Sequence, residues 1–407
     1  MPNKRKILND PIYGFITIPN ELIYDLVQHP YFQRLRRISQ MGLSYLVYPG
    51  ATHTRFHHAL GCMHMMQKVI EVLRFKQVII SIEEENALLI AILLHDMGHG
   101  PFSHAMEHSI VDEVNHEAIS LLFMEKLNIV FDHKLSLAIK IFKGDYHRKF
   151  MLQLVSSQLD MDRLDYLKRD SFYSGVHEGN INSERLLQMM NVVDDVLVIE
   201  EKGIYSVENF LMARRLMYWQ VYLHKTSLVA ELILTKILKR AKELTQKNIQ
   251  CQASEPLKYF LENKITLESF DDFILDKFAQ LDDFDIVSAL KSWQNHDDFI
   301  LSSLSKMIIN RDLLKIKLSP EKISSDEKNL LLEKFASQEN LSIADANYFI
   351  FKGKIINQAY SQIAEPIRIL MKNNTVEDVV EASDQLNLKA LSKAVTKFYI
   401  CYPKNLG

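Results

Sequence analysis

Apolar residues recur at three- and four-residue spacing along most of the chain, while strict alternation is confined to short stretches, so the pattern predicts a mainly helical protein. Residues 54–75 and 82–97 read as helices, the second ending at Gly98, a residue that leaves a helix without steric cost. Segments 117–126, 133–142 and 149–169 continue the helical series. Residues 12–18 alternate and read as a short strand, and 192–199 with 203–206, joined at Glu200-Glu201-Lys202, read as a hairpin. A long helix is expected over 206–245. Beyond residue 245 charged and apolar patches alternate, with strand candidates at 348–351, 366–371 and 397–401. The expected organisation is therefore a helical domain over 1–245 that carries the chemistry, and an α+β lobe over 246–407 with an oligomerisation or regulatory role.

Composition narrows the function classes. With 407 residues and 47% hydrophobic content the chain can build a large core, which argues against disorder. Its formal net charge of −3 supplies no global basic field for nucleic acid or an anionic membrane, so any anion site has to be local. Cys62, Cys251 and Cys401 are too few and too scattered for a disulfide framework, which fits a reducing, cytoplasmic setting. The run from Ala87 to Leu94 falls far short of the roughly 20 apolar residues of a membrane span. The N-terminal Met-Pro-Asn-Lys-Arg-Lys is followed by polar sequence broken by Pro11 and Pro19 rather than by the apolar core of a signal peptide.

The sharpest chemical feature is Leu93-Leu94-His95-Asp96-Met97-Gly98-His99-Gly100-Pro101-Phe102-Ser103-His104, in which an apolar helix delivers an adjacent His-Asp pair. Burying a carboxylate beside an imidazole is costly unless a cation or proton stabilises the pair. Upstream, Thr54-Arg55-Phe56-His57-His58 places a histidine near a helix start, and downstream Asp160-Met161-Asp162-Arg163-Leu164-Asp165-Tyr166 sets three acids in an apolar helix. Imidazoles and carboxylates together make a mixed nitrogen and oxygen set suited to Mn, Fe, Mg or Zn with open positions for water and phosphate oxygen. A lone His-Asp pair is a weak signal, but its concurrence with the two other segments is a strong one.

On these residues, with Asn9-Asp10-Pro11-Ile12-Tyr13-Gly14, Phe32-Gln33-Arg34-Leu35-Arg36 and Tyr48-Pro49-Gly50-Ala51, the chain resembles the HD-domain phosphohydrolases, and in particular the deoxynucleoside triphosphate triphosphohydrolase branch. The likeness is dense over about the first 225 residues and sparse beyond them. It implies a helical HD core with small β-hairpin elements, a divalent metal held by His58, His95, Asp96 and Asp162, and catalytic roles for His99, Glu107 and His116. It further implies that Arg55, Arg163 and Arg214 meet phosphate, that His104 and Tyr222 line the substrate site, that Tyr166 packs on the deoxyribose, and that Gln40 and Asp170 hydrogen-bond its 3′-hydroxyl. The implied reaction converts a dNTP to deoxynucleoside and inorganic triphosphate. Lys6, Asn9, Gln33, Arg36, Arg311 and Lys315 match positions that bind an activating (d)NTP between the subunits of a dimer or tetramer in regulated members of the branch. Gln28 departs from the pattern where a guanine-reading aspartate is expected, which puts a strict GTP requirement in doubt. Two other readings stand beside this one: an HD-type phosphatase or phosphodiesterase acting on another nucleotide, and a nucleotide-sensing or nucleic-acid-binding module with little turnover. The complete ligand set argues against the latter.

Overall fold

The computed structural model describes residues 6–102, 114–363, 365–384, 388 and 391–406. The chain opens with an antiparallel hairpin, β1 (Ile7–Asp10) and β2 (Gly14–Thr17). The alternation at 12–18 therefore spans a turn and a second strand: Asp10 Oδ1 accepts from the Ile12 and Tyr13 amides at 2.8 and 3.0 Å and reverses the backbone. Two short helices, α1 (Glu21–Gln28) and α2 (Pro30–Gln33), lead to α3 (Arg55–Phe75) and α4 (Ile82–Leu94). A capping box between Ser81 and Glu84 starts α4, whose residues from Ala87 to Leu94 are buried all round because that part of the helix runs through the core.

Helices α5 (His116–Val130), α6 (Ser136–Lys143), α7 (Lys149–Val155), α8 (Met161–Ser174) and α9 (Ser183–Met189) follow. The single helix expected over 149–169 is thus two, because Asp160 ends its continuity. The Asp160 side chain, fully buried, accepts from the amides of Ser157 and Arg163 at 2.7 Å each and caps α8. Its other partner is the Arg163 guanidinium. Asp160→Ala should lower stability by about 1–3 kcal/mol, read from denaturant unfolding, since it removes a cap and deprives a half-buried cation of its partner.

The hairpin is real but displaced. β3 (Met190–Val193) pairs with β4 (Val196–Glu200) around Asp194 and Asp195, whose φ angles of 52° and 56° suit a tight primed turn, and the expected second arm at 203–206 lies instead at the start of α10 (Ile204–Met217). A π-turn over Tyr218–Tyr222 separates α10 from α11 (Lys225–Gln246), so the long helix expected over 206–245 is also interrupted.

After residue 246 the chain is first helical, with α12 (Glu255–Glu262), α13 (Asp272–Phe278), α14 (Asp283–Trp293), α15 (Phe299–Ile309) and α16 (Ser325–Glu339). The strands β5 (Lys315–Ser319), β6 (Phe351–Asn357) and β9 (Val395–Tyr402) form an antiparallel sheet in the order β5-β9-β6. The short β7 (Arg368–Leu370) and β8 (Val376–Asp378) extend the β3-β4 hairpin, β7 running parallel to β4 with Val198 opposite Arg368. The whole is mainly α, with small sheets and an α+β C-terminal part. No helix among the described residues is long and apolar enough to cross a membrane.

Two glycines set how closely the site-bearing helices approach. A Cβ at Gly61 on α3 would lie 2.0 Å from Asp165 Oδ1 and 2.2 Å from an Arg169 nitrogen on α8, so only glycine lets that ion pair fit between the two helices. A Cβ at Gly98 would lie 2.0 Å from the His116 carbonyl oxygen, so the turn after α4 presses directly on the start of α5.

Candidate metal centre and active site

Helices α3 and α8 and the C-terminal end of α4 converge on one point. His58 on α3, His95 capping α4 and Asp162 in the first turn of α8, with Cys62 one helical turn beyond His58, place one ligand atom each within 4.8 Å of one another. His95 Nδ1 lies 2.6 Å from the Ile92 carbonyl, which can only accept, so that nitrogen carries the proton and Nε2 presents a lone pair. His95 Nε2 is buried, has no hydrogen-bond partner among the described residues, and lies 3.3 Å from Asp96 Oδ1 and 3.6 Å from Asp162 Oδ1. An inward lone pair facing carboxylates is the arrangement that a divalent cation satisfies. His58 is oriented in the same way, its Nδ1 donating to Asp165 at 2.7 Å and its Nε2 standing 3.1 Å from Asp162.

Behind His58 runs a chain of buried charges that sequence reasoning did not assign. Arg169 grips Asp165 with two bonds of 2.8 and 2.9 Å and reaches Asp10 with a third of 2.8 Å. The i,i+3 and i,i+4 spacing of Asp162, Asp165 and Arg169 was the available signal. Burial opposes ionisation of Asp165, but the Arg169 guanidinium and the His58 hydrogen bond outweigh it and bring its pKa down to about 2. Burial likewise disfavours charged Asp162, yet His58 and His95 hold it well below the carboxylate range. The Asp162 side chain is 27% exposed, which leaves one side of the cluster open.

Asp96 sits beside this cluster rather than at its centre. Its Oδ2 is 3.8 Å from His58 Nε2 and is also engaged by Arg55. His99 Nε2 lies 3.4 Å from Asp96 Oδ1, and the His99 ring stacks on that of His116 with centroids 3.8 Å apart. Burial, with Arg55 close by, outweighs the Asp96 carboxylate and pushes the His99 pKa down to about 3. Glu107 and His104 lie outside the described residues.

Of the residues expected to meet substrate, Tyr166, Tyr222, Arg163 and Arg214 lie together. Tyr166, next to Asp162 on α8, meets Tyr222 edge to face at 6.0 Å, and it feels the charges of Arg163, Arg214 and Asp162. Tyr222 donates to Asp170 at 2.8 Å, and His53, which the sequence reading left without a role, holds the other Asp170 oxygen at 2.7 Å. Arg163 Nε, Arg214 Nε and Nη1, and Gln40 Oε1 are buried without a hydrogen-bond partner among the described residues. Buried polar groups are rarely left so.

The residues matched to a regulatory nucleotide fall in two groups. Lys6 stacks over Tyr24, Asn9 lies on β1 opposite Phe15, and Arg36 bonds Gln33 at 2.8 Å and covers Phe56. Arg311 and Lys315 line a separate cleft of about 250 Å³ together with Lys225 and Lys404.

Comparison with known proteins accords with this geometry. A family profile described as HD domain matches residues 55–170, and one described as HD associated region matches residues 181–259. The uncharacterized protein YwfO of Bacillus subtilis is 32% identical, the match covering 99% of this chain and 93% of that protein. A crystal structure of a phosphohydrolase from Bacteroides thetaiotaomicron superposes with a TM-score of 0.95 at 52% identity, covering 98% of this chain and 100% of that one. The deoxynucleoside triphosphate triphosphohydrolase SAMHD1 homolog of Dictyostelium discoideum is 31% identical over 62% of this chain, which spans about half (52%) of that protein.

Proposed function

The chain belongs to the HD-domain phosphohydrolases that carry an HD-associated region, and from that premise we propose that it hydrolyses deoxynucleoside triphosphates to deoxynucleoside and inorganic triphosphate. The observation that carries this reading is the set of buried N–H groups without a partner among the described residues, Arg163 Nε with Arg214 Nε and Nη1, beside a donor cluster of metal type. A cation attracts any phosphate, but two guanidinium groups that keep spare buried donors beside it suit several anionic oxygens in a row, which a triphosphate supplies.

His58, His95 and Asp162 would hold the divalent ion, with Asp96 completing the set. Bound there, the ion would polarise the α-phosphoryl group and lower the pKa of the attacking water. The chain's own residues do the rest. Water adds to the α-phosphorus, the bond from phosphorus to the 5′-oxygen breaks, and the leaving oxygen takes up a proton. The stacked pair His99 and His116 would orient the water or pass that proton, with burial and the nearby Arg55 favouring the neutral form of His99. Tyr166 would pack on the sugar where a 2′-hydroxyl would need room, and Asp170, fixed by Tyr222 and His53, would accept from the 3′-hydroxyl. An activating nucleotide at the cleft of Lys225, Arg311, Lys315 and Lys404, shared between copies of the chain, is part of the same proposal.

The test is incubation of purified, metal-loaded protein with each dNTP and rNTP, followed by chromatography of the products. Deoxynucleoside with intact triphosphate from dNTPs supports the proposal. Nucleoside monophosphate with pyrophosphate, or equal turnover of rNTPs, contradicts it and favours another nucleotide hydrolase. In the same assay His116→Ala should keep its metal but lose roughly 10²–10⁴-fold in kcat, the usual loss of a missing acid or base, and an unchanged kcat would place that role elsewhere.

A further inference from the structure

Arg34 is fully buried and takes no part in the chemistry above. It lies just after α2, and its guanidinium spends its donors on neutral carbonyls: Nε on Leu281 at 2.7 Å, Nη1 on Met97 at 3.2 Å and Nη2 on His99 at 2.8 Å. The ring of Phe278 lies 4.8 Å beneath it. Phe278 ends α13 and Leu281 belongs to the link between α13 and α14, whereas Met97 and His99 form the turn that follows the His95 end of α4. A second brace runs alongside. Asp283, also buried, accepts from the Phe102 amide at 3.1 Å and from the Ser39 amide at 2.8 Å, and its neighbour Asp282 pairs with Arg37.

Burying a guanidinium without a carboxylate in contact is expensive, and an apolar residue of similar size would fill the space at less cost. What an apolar residue could not do is hold three carbonyls from two distant segments at fixed angles, which the planar five-donor fork does. Burial lowers the Arg34 pKa to about 9, so the charge persists at neutral pH. The braced turn runs from Met97 to Phe102 and carries His99.

We propose that Arg34 and Asp283 are positioning residues that fix the turn 97–102 against the α13–α14 link, and that the chain beyond residue 245 thereby sets the geometry of the active site. The catalytic readout rests on the dNTP hydrolysis proposed above; the structural readout does not. The experiment compares full-length Arg34→Lys and Asp283→Asn with the unsubstituted protein for bound metal, for kcat and KM on dNTPs, and for hydrogen exchange at the Gly98, His99, Gly100 and Phe102 amides. Lysine keeps the charge but cannot span three carbonyls. The expected result for Arg34→Lys is full metal content, a KM close to that of the unsubstituted protein, a kcat about 10²-fold lower, as sub-ångström to ångström misplacement produces, and faster exchange in the turn. Asp283→Asn should move kcat and exchange in the same direction by less. Folded variants with unchanged kcat and unchanged exchange overturn the proposal. If Arg34→Lys does not fold, Asp283→Asn decides alone. If the unsubstituted protein turns over no dNTP, the activity fails, and exchange in the turn decides the positioning claim by itself.

Discussion

His95→Ala is expected to empty the metal centre and to reduce turnover to background while leaving the helical content intact. His95 stands at the C-terminal end of α4 with its Nε2 free of hydrogen bonds among the described residues and aimed at Asp96 and Asp162, so its loss removes an imidazole from the cluster without touching the packed face of the helix. Open metal sites serve chemistry more than folding, which is why circular dichroism should change little. Elemental analysis of the purified variant decides the point: stoichiometric metal in His95→Ala would remove that residue from the ligand set. Asp96→Ala is expected to lose metal as well, and the comparison is informative because Asp96 also answers Arg55. Full occupancy in Asp96→Ala would assign that carboxylate to neutralising Arg55.

The second large effect is on stability. Asp165→Ala should cost about 3–5 kcal/mol, because it leaves Arg169 buried with half its partners gone. It should also weaken metal binding roughly 10- to 100-fold, since His58 loses the group that orients its ring. Denaturant unfolding with and without added metal separates the two. The same carboxylate predicts a pH dependence. Its folded pKa of about 2 lies below the unfolded value of about 3.9, so its contribution is fully present above that unfolded value and is lost as pH falls through about 2. The native protein should lose on the order of 2–3 kcal/mol across that window, and Asp165→Asn should show a shallower decline there.

How far the sequence carried the reading depends on the kind of signal. Helices α3 and α4 follow from apolar periodicity, and the metal cluster follows from histidine and aspartate in an apolar setting where structure alone would place neither. The break between α7 and α8 was missed because Ser156-Ser157-Gln158-Leu159-Asp160 contains no glycine or proline and the apolar spacing continues through it; the signal lay in Asp160 as a cap. The interruption at Tyr218–Tyr222 is silent because it, too, contains no glycine or proline. The hairpin was displaced because the Asp194-Asp195 pair, a left-handed turn signal, was read as part of a strand.

Contacts across helices were not legible at all. Nothing in the local pattern says that Asp10 and Arg169 meet, or that His53 holds Asp170, because those partners lie more than a hundred positions apart. Arg34 was passed over because an arginine between Gln33 and Arg36 reads as a solvated face, while the fold buries it entirely.

The most direct test of the central claim is where the oxygen of the attacking water ends up. Hydrolysis of a dNTP by the metal-loaded protein in heavy-oxygen water, followed by mass spectrometry of both products, should find one heavy oxygen in the inorganic triphosphate and none in the deoxynucleoside. Label in the 5′-hydroxyl of the deoxynucleoside, or in a monophosphate released with pyrophosphate or phosphate, would contradict it.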